Sequence, residues 1–301
     1  MLPMAIHGSS VAAARRQALS LLHQAGNETP VFDVNVLLGQ VMRLKPAEVV
    51  LRQKDALSAQ QRQAFDQAIR RRIQHEPVAY ITGTKGFRRL DVQVDSAVLV
   101  PRPETELLVQ VTLDLWDEVG PCLVVDVGTG SGAVGLALAE ERPTLHVLGT
   151  DVSTSALNIA VKNAKRLSLL DRVRFSRTNG LAGIDLSDVL VTANLPYIPT
   201  GEISELPPDI LEWEPRTALD GGIDGLAVIR SVVNQLEHSN AVGAVFEVGI
   251  NQSAPVARLL VDAGFSATSI HYDLSGCSRV VAALRPSESI SCVLPRTAKS
   301  S

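Results

Sequence analysis

No apolar run in the chain approaches the roughly 20 residues that a membrane-spanning helix requires. The opening MLPMAIHGSSVAAARRQ lacks the basic, apolar, small-residue order of a secretory signal. No membrane partner is expected, and the expected location is cytoplasmic. Cysteine is scarce: Cys122, Cys277 and Cys292 are scattered and show no CxxC spacing. They build neither a disulfide framework nor a zinc site, so reduced thiols are expected. His7, His23, His75, His146, His238 and His271 are dispersed without ligand spacing, and no metal is expected. A run of interleaved aromatic and basic residues, which would mark a single-strand nucleic-acid groove, is also missing. No stable nucleic-acid binding is expected.

What is present is a chain of 301 residues, 46% of them hydrophobic, enough for one large core or two smaller ones. The net charge of −4 conceals an asymmetry. Residues 1–75 carry ten Lys/Arg against five Asp/Glu, and the remainder eighteen against twenty-seven. The triplet Arg70, Arg71, Arg72 reads first as a solvated helix face and second as a docking surface for an acidic or RNA-associated partner.

Residues 1–75 read as a small helical domain for substrate recognition. VAAARRQALSLLHQAG places Ala18, Leu19 and Leu22 at helical intervals and stops at Gly26. PVFDVNVLLGQVMRL is a second helix, ended at Lys45-Pro46. Ser58 and Gln61 have the spacing of a capping box that opens a third. Residues 76–102 turn to glycine, β-branched residues and period-two alternation, which predicts a β-hairpin linker. From 103 to 285 strands and helices alternate, which predicts an α/β domain with a mostly parallel sheet covered on both faces. Residues 286–301 have little apolar pattern and are expected to form a disordered tail.

In the α/β part, VVDVGTGSGAVG sets Gly128, Gly130 and Gly132 at the mouth of the first strand. Glycines there allow a tight turn and close approach of a ligand to the backbone, while the following helix offers free N–H groups. Asp151 ends the next strand, where its carboxylate suits the two hydroxyls of a ribose. Gly130, Gly132 and Gly135 also satisfy the dinucleotide pattern. However, Asp126, two residues before Gly128, would repel a pyrophosphate and can hold an ammonium group. That favours S-adenosylmethionine over a nicotinamide dinucleotide.

A later strand, DVLVTA, runs into Asn194, Leu195, Pro196 and Tyr197. Beyond the carboxyl end of such a strand, the Asn194 side-chain oxygen and the Leu195 carbonyl can each accept one N–H of a planar NH2 group. The nitrogen's third direction is then left toward a methyl donor. Tyr197 can stack on the planar group and Pro196 stiffens the loop. The four residues fit a carboxamide or an adenine equally. Glu212 and Glu214, around Trp213, read as a solvated loop or a binding edge.

EPVAYITG, VLVPRPETELLV, DVGTGSGAVGLALA, ANLPYIP, EPRTALDGG and FEVG together resemble the protein-(glutamine N5) methyltransferases of peptide-chain release factors. The resemblance spans about Ala12 to Leu284. It implies a Rossmann-like methyltransferase domain behind a helical N-terminal domain. It also implies S-adenosylmethionine as cofactor and, as substrate, the Gln of a Gly-Gly-Gln loop in a class 1 release factor. By resemblance Gly128, Thr129, Gly130, Ser131, Gly132, Asp151 and Asn194 hold the cofactor, Asn179 and Gly180 stand beside its adenine, and Asn194 to Tyr197 hold the glutamine amide. Asn194 and Tyr197 are the expected catalytic residues.

Two departures stand out. The family usually has Asn-Pro-Pro-Tyr where Leu195 stands here, and the Asn-Leu-Pro-Tyr form of this chain also resembles the motif of rRNA adenine dimethyltransferases. It also commonly has an acidic and then a bulky residue where Asn179 and Gly180 stand, which predicts weaker cofactor binding. The alternatives are an adenine-N6 methyltransferase acting on DNA or RNA, and a cofactor-binding translation partner without catalysis.

Overall fold

The computed structural model describes residues 6, 10–120 and 122–285. The expected tail, 286–301, lies outside the described residues. In chain order the elements are α1 (Val11–Gln24), α2 (Pro30–Met42), α3 (Pro46–Leu51), α4 (Ala59–Ile73), α5 (Val78–Thr82), β1 (Thr84–Phe87) and β2 (Leu90–Gln93). There follow α6 (Thr105–Val119), β3 (Leu123–Val127), α7 (Ala133–Glu141), β4 (His146–Asp151), α8 (Thr154–Arg166), β5 (Val173–Arg177) and β6 (Val189–Asn194). The last are α9 (Pro208–Leu211), α10 (Ala227–Leu236), β7 (Gly243–Glu247), α11 (Ser253–Asp262), β8 (Ala267–Tyr272) and β9 (Ser278–Leu284). No helix among the described residues is long and apolar enough to cross a membrane.

The chain divides into two compact units, Met1–Pro101 with Gly201–Leu219, and Arg102–Thr200 with Asp220–Ser301. The first unit buries one face of each long helix, including Leu22, Leu37, Leu38, Phe65 and Ile69, in a single core. Its caps follow from local chemistry. The Ser58 hydroxyl accepts from Gln61 N at 3.1 Å while Gln61 Oε1 accepts from Ser58 N at 2.9 Å, so two otherwise orphaned donors at the start of α4 are satisfied. Pro46 does more than end a helix, since it occupies the first turn of α3, where its missing N–H costs nothing.

Arg70 and Arg71 of the triplet are exposed, as a solvated face requires, and Arg72 is not. Arg70 pairs with Asp66 one turn back at 2.8 Å, and Arg71 Nε donates to Glu76 at 2.6 Å. Arg72 is buried and donates to the equally buried Asp33 at 2.7 Å. A buried charge without its partner is costly, so Arg72 fastens α4 to α2 rather than facing solvent. The segment 201–219 is held within this unit by Trp213, whose Nε1 donates to Gln74 O at 3.0 Å. Glu214 is buried, whereas Glu212 on the other side of Trp213 is exposed.

The second unit is a seven-stranded sheet in the order β5-β4-β3-β6-β7-β9-β8. All neighbours are parallel except β9, which runs antiparallel to both β7 and β8. Chain order reverses between β3 and β6, which opens a crevice beyond their carboxyl ends. One sheet face carries Val125, Val127, Val191 and Ala193 against Ile229, Val233 and Leu236 of α10 and Val256 and Leu260 of α11. The central strands are buried on both faces, which is why they read as nearly continuous apolar runs.

Asp126 and Thr192 are register partners, so they share one face of the sheet. Asp126 Oδ2 there accepts from Gly135 N of α7 at 3.1 Å, and Thr192 lies 3.0 Å, hydroxyl to hydroxyl, from Thr112 of α6. These two polar contacts dock α7 and α6 on the face opposite α10 and α11.

Candidate active site

The glycine loop is shaped by its own backbone and its neighbours. Gly128, Gly130 and Gly132 have φ of 71°, 55° and 83°, a region that side chains with a Cβ disfavour. Gly128 N and Thr129 N both donate to Thr150 O, at 2.8 and 2.9 Å, and Gly130 N donates to Asp151 Oδ2 at 3.0 Å. Asn163 of α8, fully buried, donates to Ser131 O at 2.9 Å. Asp151 Oδ1 accepts from Ser153 N at 2.8 Å. Each Asp151 oxygen thus spends one acceptor site on the backbone and keeps another for a ligand hydroxyl.

Thr129 is occupied differently from a ligand-binding side chain. Its hydroxyl donates to Asp126 Oδ2 at 2.6 Å and its N–H is taken by Thr150. Asp126 is only 2% exposed, and burial pushes its carboxyl up to about 6 against the pull of Thr129 and Gly135. At least one of its oxygens therefore braces the loop. Ser131 is buried as well.

Asn194 leaves β6 directly beside this loop. A Cβ built on Gly128 would stand 3.2 Å from Leu195 Cδ2 and 3.7 Å from Asn194 O, so the two loops are in contact. The Leu195 side chain is buried and packs into the sheet core. The departure from proline at this position thereby gains an apolar anchor where ring rigidity is lost.

Asn194 Nδ2 donates to the Thr105 hydroxyl at 3.0 Å. Thr105 begins α6 and is buried, and the Thr112 contact two turns later holds the helix along β6. With its NH2 end engaged, Asn194 keeps its Oδ1 end to accept. Tyr197 is half-buried, and its hydroxyl lies 3.5 Å from Glu247 Oε1. Burial, then the charge of Glu247, pushes the phenol up to about 12, so it stays protonated near neutrality.

The Pro196-Tyr197 backbone is clamped by the glycine-rich turn that follows Asp220. A Cβ on Gly225 would lie 2.3 Å from Tyr197 O, and one on Gly221 would lie 2.8 Å from Pro196 O, so neither position admits a side chain. Gln252 completes the clamp, donating to Tyr197 O at 2.9 Å and accepting from Gly249 N at 2.9 Å.

Asn179 is exposed at the start of the loop after β5. Gly180, at φ 64°, accepts from the Thr150 hydroxyl at 3.1 Å. A Cβ there would meet the Gln235 amide at 2.8 Å, and that amide is already committed to Leu181 N and Ser231 O. A side chain at position 180 would have to displace the Gln235 amide from these two hydrogen bonds and adopt a positive φ. Among the described residues no group of three or more His, Cys, Asp or Glu could hold a metal ion.

Thr105, Glu247, Gln252, Gly221 and Gly225 belong to the site's frame but are not picked out by residue in the sequence. Four of them lie inside PRPETE, FEVG and the glycine-rich run after EPRTAL, so the signal lay in segments whose individual roles the sequence leaves unassigned. Glu247 is the most unusual. It is 1% exposed, its Cα is the register partner of Asn194, and its Oε2 has no hydrogen-bond partner. Burial pushes its carboxyl up to about 7, opposed by the Thr105 hydroxyl and the charge of Arg279.

A carboxyl whose folded pKa is raised keeps its proton in the folded state after the unfolded chain has lost it near pH 4. Its stabilising contribution is full below that pH and is lost as pH rises through the folded value. For Glu247 the window is about pH 4 to 7. The stability of the protein, and with it the melting temperature, is therefore expected to fall across that window, and Glu247→Gln is expected to reduce the loss of stability by on the order of 2–3 kcal/mol. Thermal denaturation between pH 5 and 8 checks this, and identical profiles for the two proteins would contradict it.

Comparison with known proteins places this geometry. Residues 13–83 match the family model of the PrmC N-terminal domain, and residues 124–205 match that of a methyltransferase domain. A release factor glutamine methyltransferase of Rhodospirillum rubrum is 37% identical over 88% of this chain and 82% of its own. That of Caulobacter vibrioides is 39% identical over 86% of this chain and 91% of its own. Among solved structures, the hMettl16 catalytic domain in complex with a 3'UTR hairpin matches with a TM-score of 0.55 at 16% identity, covering 65% of this chain and 76% of that one. At that identity the likeness is one of fold.

Proposed function

The chain belongs to the release factor glutamine methyltransferases, and on that premise we propose that it methylates the side-chain amide nitrogen of the Gln in the Gly-Gly-Gln loop of class 1 release factors. The methyl donor is S-adenosylmethionine. The observation that carries the reading is the fixed amide of Asn194: its NH2 end is held by Thr105, which leaves an acceptor beside the glycine loop.

The residues present fit the cofactor. Asp151 retains acceptor sites for the ribose hydroxyls, while Asp126, buried and bonded to Thr129 and Gly135 N, braces the loop that receives the cofactor. The loop from Gly128 to Gly132 offers a close backbone approach, with Asn179 and Gly180 beside the adenine. When bound, S-adenosylmethionine supplies an electrophilic methyl group on a sulfonium.

The protein's own task is to aim a poor nucleophile. An amide nitrogen has its lone pair delocalised into the carbonyl. The Asn194 Oδ1 and Leu195 carbonyl oxygens each accept one of its N–H bonds, which turns one face of the planar nitrogen toward the methyl group and stabilises positive charge as it develops, before one N–H proton is released to water. No strong base is required, because the nitrogen becomes acidic as it gains the methyl group. Tyr197 serves as a stacking face rather than a base, in keeping with its raised pKa. Pro196 and the clamp from Gly221, Gly225 and Gln252 keep both acceptors in register.

The same donor geometry would serve an adenine amino group, which must first be lifted from its stack. The protein incubated with methyl-labelled S-adenosylmethionine is expected to label a class 1 release factor but not its Gln→Ala loop variant, nor unmodified nucleic acid. Label on nucleic acid alone would overturn the reading. The family's setting in translation fits a cytoplasmic protein.

A further inference from the structure

We propose that Ile223, Ile250 and Leu274 form an apolar rim beside the methyl-transfer site, and that this rim docks the polypeptide on either side of the target glutamine. The inference rests on the amide-methylating reading above and extends it from the glutamine side chain to the protein surface that carries it.

The three residues share an unusual placement. Each is the first central residue of a tight turn. The closing hydrogen bonds run from Gly225 N to Gly222 O at 3.1 Å, from Gln252 N to Gly249 O at 3.1 Å and from Gly276 N to Asp273 O at 3.0 Å. Proline and small polar residues are the ordinary occupants of such turns, which face water. Here the position holds Ile or Leu: Ile223 is 95% exposed, Ile250 62%, and Leu274 fully. The carboxylates of these turns are spent on holding them in shape. Asp220 accepts from Gly222 N at 3.1 Å and the Thr200 hydroxyl at 2.6 Å, and Asp224 from Leu226 N at 3.0 Å and Arg230 at 2.7 Å. Asp273 accepts from Ser275 N at 2.8 Å, Cys277 N at 2.9 Å and Arg279 at 3.2 Å. What each turn presents at its tip is therefore aliphatic.

Position decides what the rim receives. The turn of Ile223 is the one that clamps the Pro196-Tyr197 backbone, through Gly221 and Gly225. The turn of Ile250 closes on Tyr197 from another side: Gln252 donates to Tyr197 O at 2.9 Å, and a Cβ built on Gly249 would stand 3.2 Å from Tyr197 Cδ2. The two turns also meet, since a Cβ built on Gly225 would stand 2.5 Å from Gln252 Nε2. Leu274 caps the β8-β9 hairpin at the same edge of the sheet, where Val280 pairs with Glu247 and Val248 N donates to Arg279 O at 2.8 Å. A glutamine whose amide reaches Asn194 beside Tyr197 brings its own backbone and neighbours over Ile223 and Ile250, with Leu274 next outward. The rim is thus continuous with the substrate's point of entry. Exposed aliphatic side chains gathered at one mouth mark a protein contact, and turns built on Asp220, Asp224 and Asp273 suit the phosphates of a nucleic acid poorly. Because the turns are tied by their own hydrogen bonds, little ordering is lost when a polypeptide settles on them.

The test compares Ile223→Ser, Ile250→Ser, the double variant and Leu274→Ser, in the full chain with a release factor as substrate. Val261→Ser is the control, because Val261 is 51% exposed on the last turn of α11, which runs from the β7 exit back to the opposite edge of the sheet. Each isoleucine variant is expected to raise KM for the release factor by about 3- to 10-fold, and the double variant by about 10- to 100-fold, the scale on which truncated contact residues weaken a protein interface. Leu274→Ser, farther from the mouth, should raise it by about 2- to 5-fold. Turnover at saturating release factor and the calorimetric Kd for S-adenosylmethionine should stay within about twofold of the parent. The melting temperature should not fall, since exposed side chains leave the core untouched. An unchanged KM in the double variant would overturn the proposal. So would an equal rise in Val261→Ser, or a loss of cofactor affinity matching the rise in KM. Absence of transfer by the parent protein would instead overturn the reading on which it rests, so the two failures are separable.

Discussion

Asn194→Ala is expected to reduce methyl transfer by at least about 10²- to 10³-fold, the scale seen when a preorganised group facing developing charge is removed. Cofactor affinity should change little. The Asn194 side chain hydrogen-bonds to Thr105 and not to the glycine loop, and β6 is held through its backbone pairing with β3 and β7. The substitution leaves Thr105 with an unfilled acceptor site, a modest cost at a half-buried position. Single-turnover rates and calorimetric titration with S-adenosylmethionine separate the two effects. Near-parental turnover would remove Asn194 from the chemistry.

The opposite division is expected of Asp151→Ala. Its carboxylate anchors Gly130 N and Ser153 N and is the residue we assign to the ribose hydroxyls. Hydrogen bonds to a charged group are worth about 1.5–3 kcal/mol each, so losing two to a ligand raises the cofactor Kd by about 10²-fold or more. The glycine loop would loosen too, since Gly130 at φ 55° has one tether fewer. Asp151→Asn, which keeps shape and one oxygen acceptor, should fall between the two. Binding of S-adenosylmethionine read by calorimetry checks the order, and an unchanged Kd in Asp151→Ala would contradict it.

Much of this architecture can be read from local pattern. The parallel strands announce themselves as apolar runs because both of their faces are covered, and the glycines of VVDVGTGSG fall where the turn demands positive φ. Asn194 to Tyr197 stands out because amide, proline and aromatic follow a buried strand. What the sequence conceals is non-local. Thr105 is 89 residues from Asn194, and only the docking of α6 along β6 brings them together.

Arg72 misleads for a similar reason. Its spacing on α4 suits solvent, but α2 brings Asp33 against Arg72 and buries the pair. Trp213 likewise finds Gln74 across 139 positions, so 201–219 folds with the N-terminal unit although it interrupts the α/β run. β8 escapes the pattern because its residues are largely exposed or half-buried and lack apolar alternation. Glu247 looks like an ordinary residue at a strand's exit. Its isolation from a matching cation is visible only once β7, β9 and α6 have closed around it.

The central claim is that the loop after β6 directs a planar amide nitrogen toward a methyl donor. The most direct measurement is peptide mass spectrometry of a class 1 release factor after reaction with the parent protein and with Asn194→Ala. The account predicts one added methyl group on the side-chain amide of the Gly-Gly-Gln glutamine with the parent, and unmodified glutamine with the variant. A methyl group at another residue, or equal modification by both proteins, would contradict it.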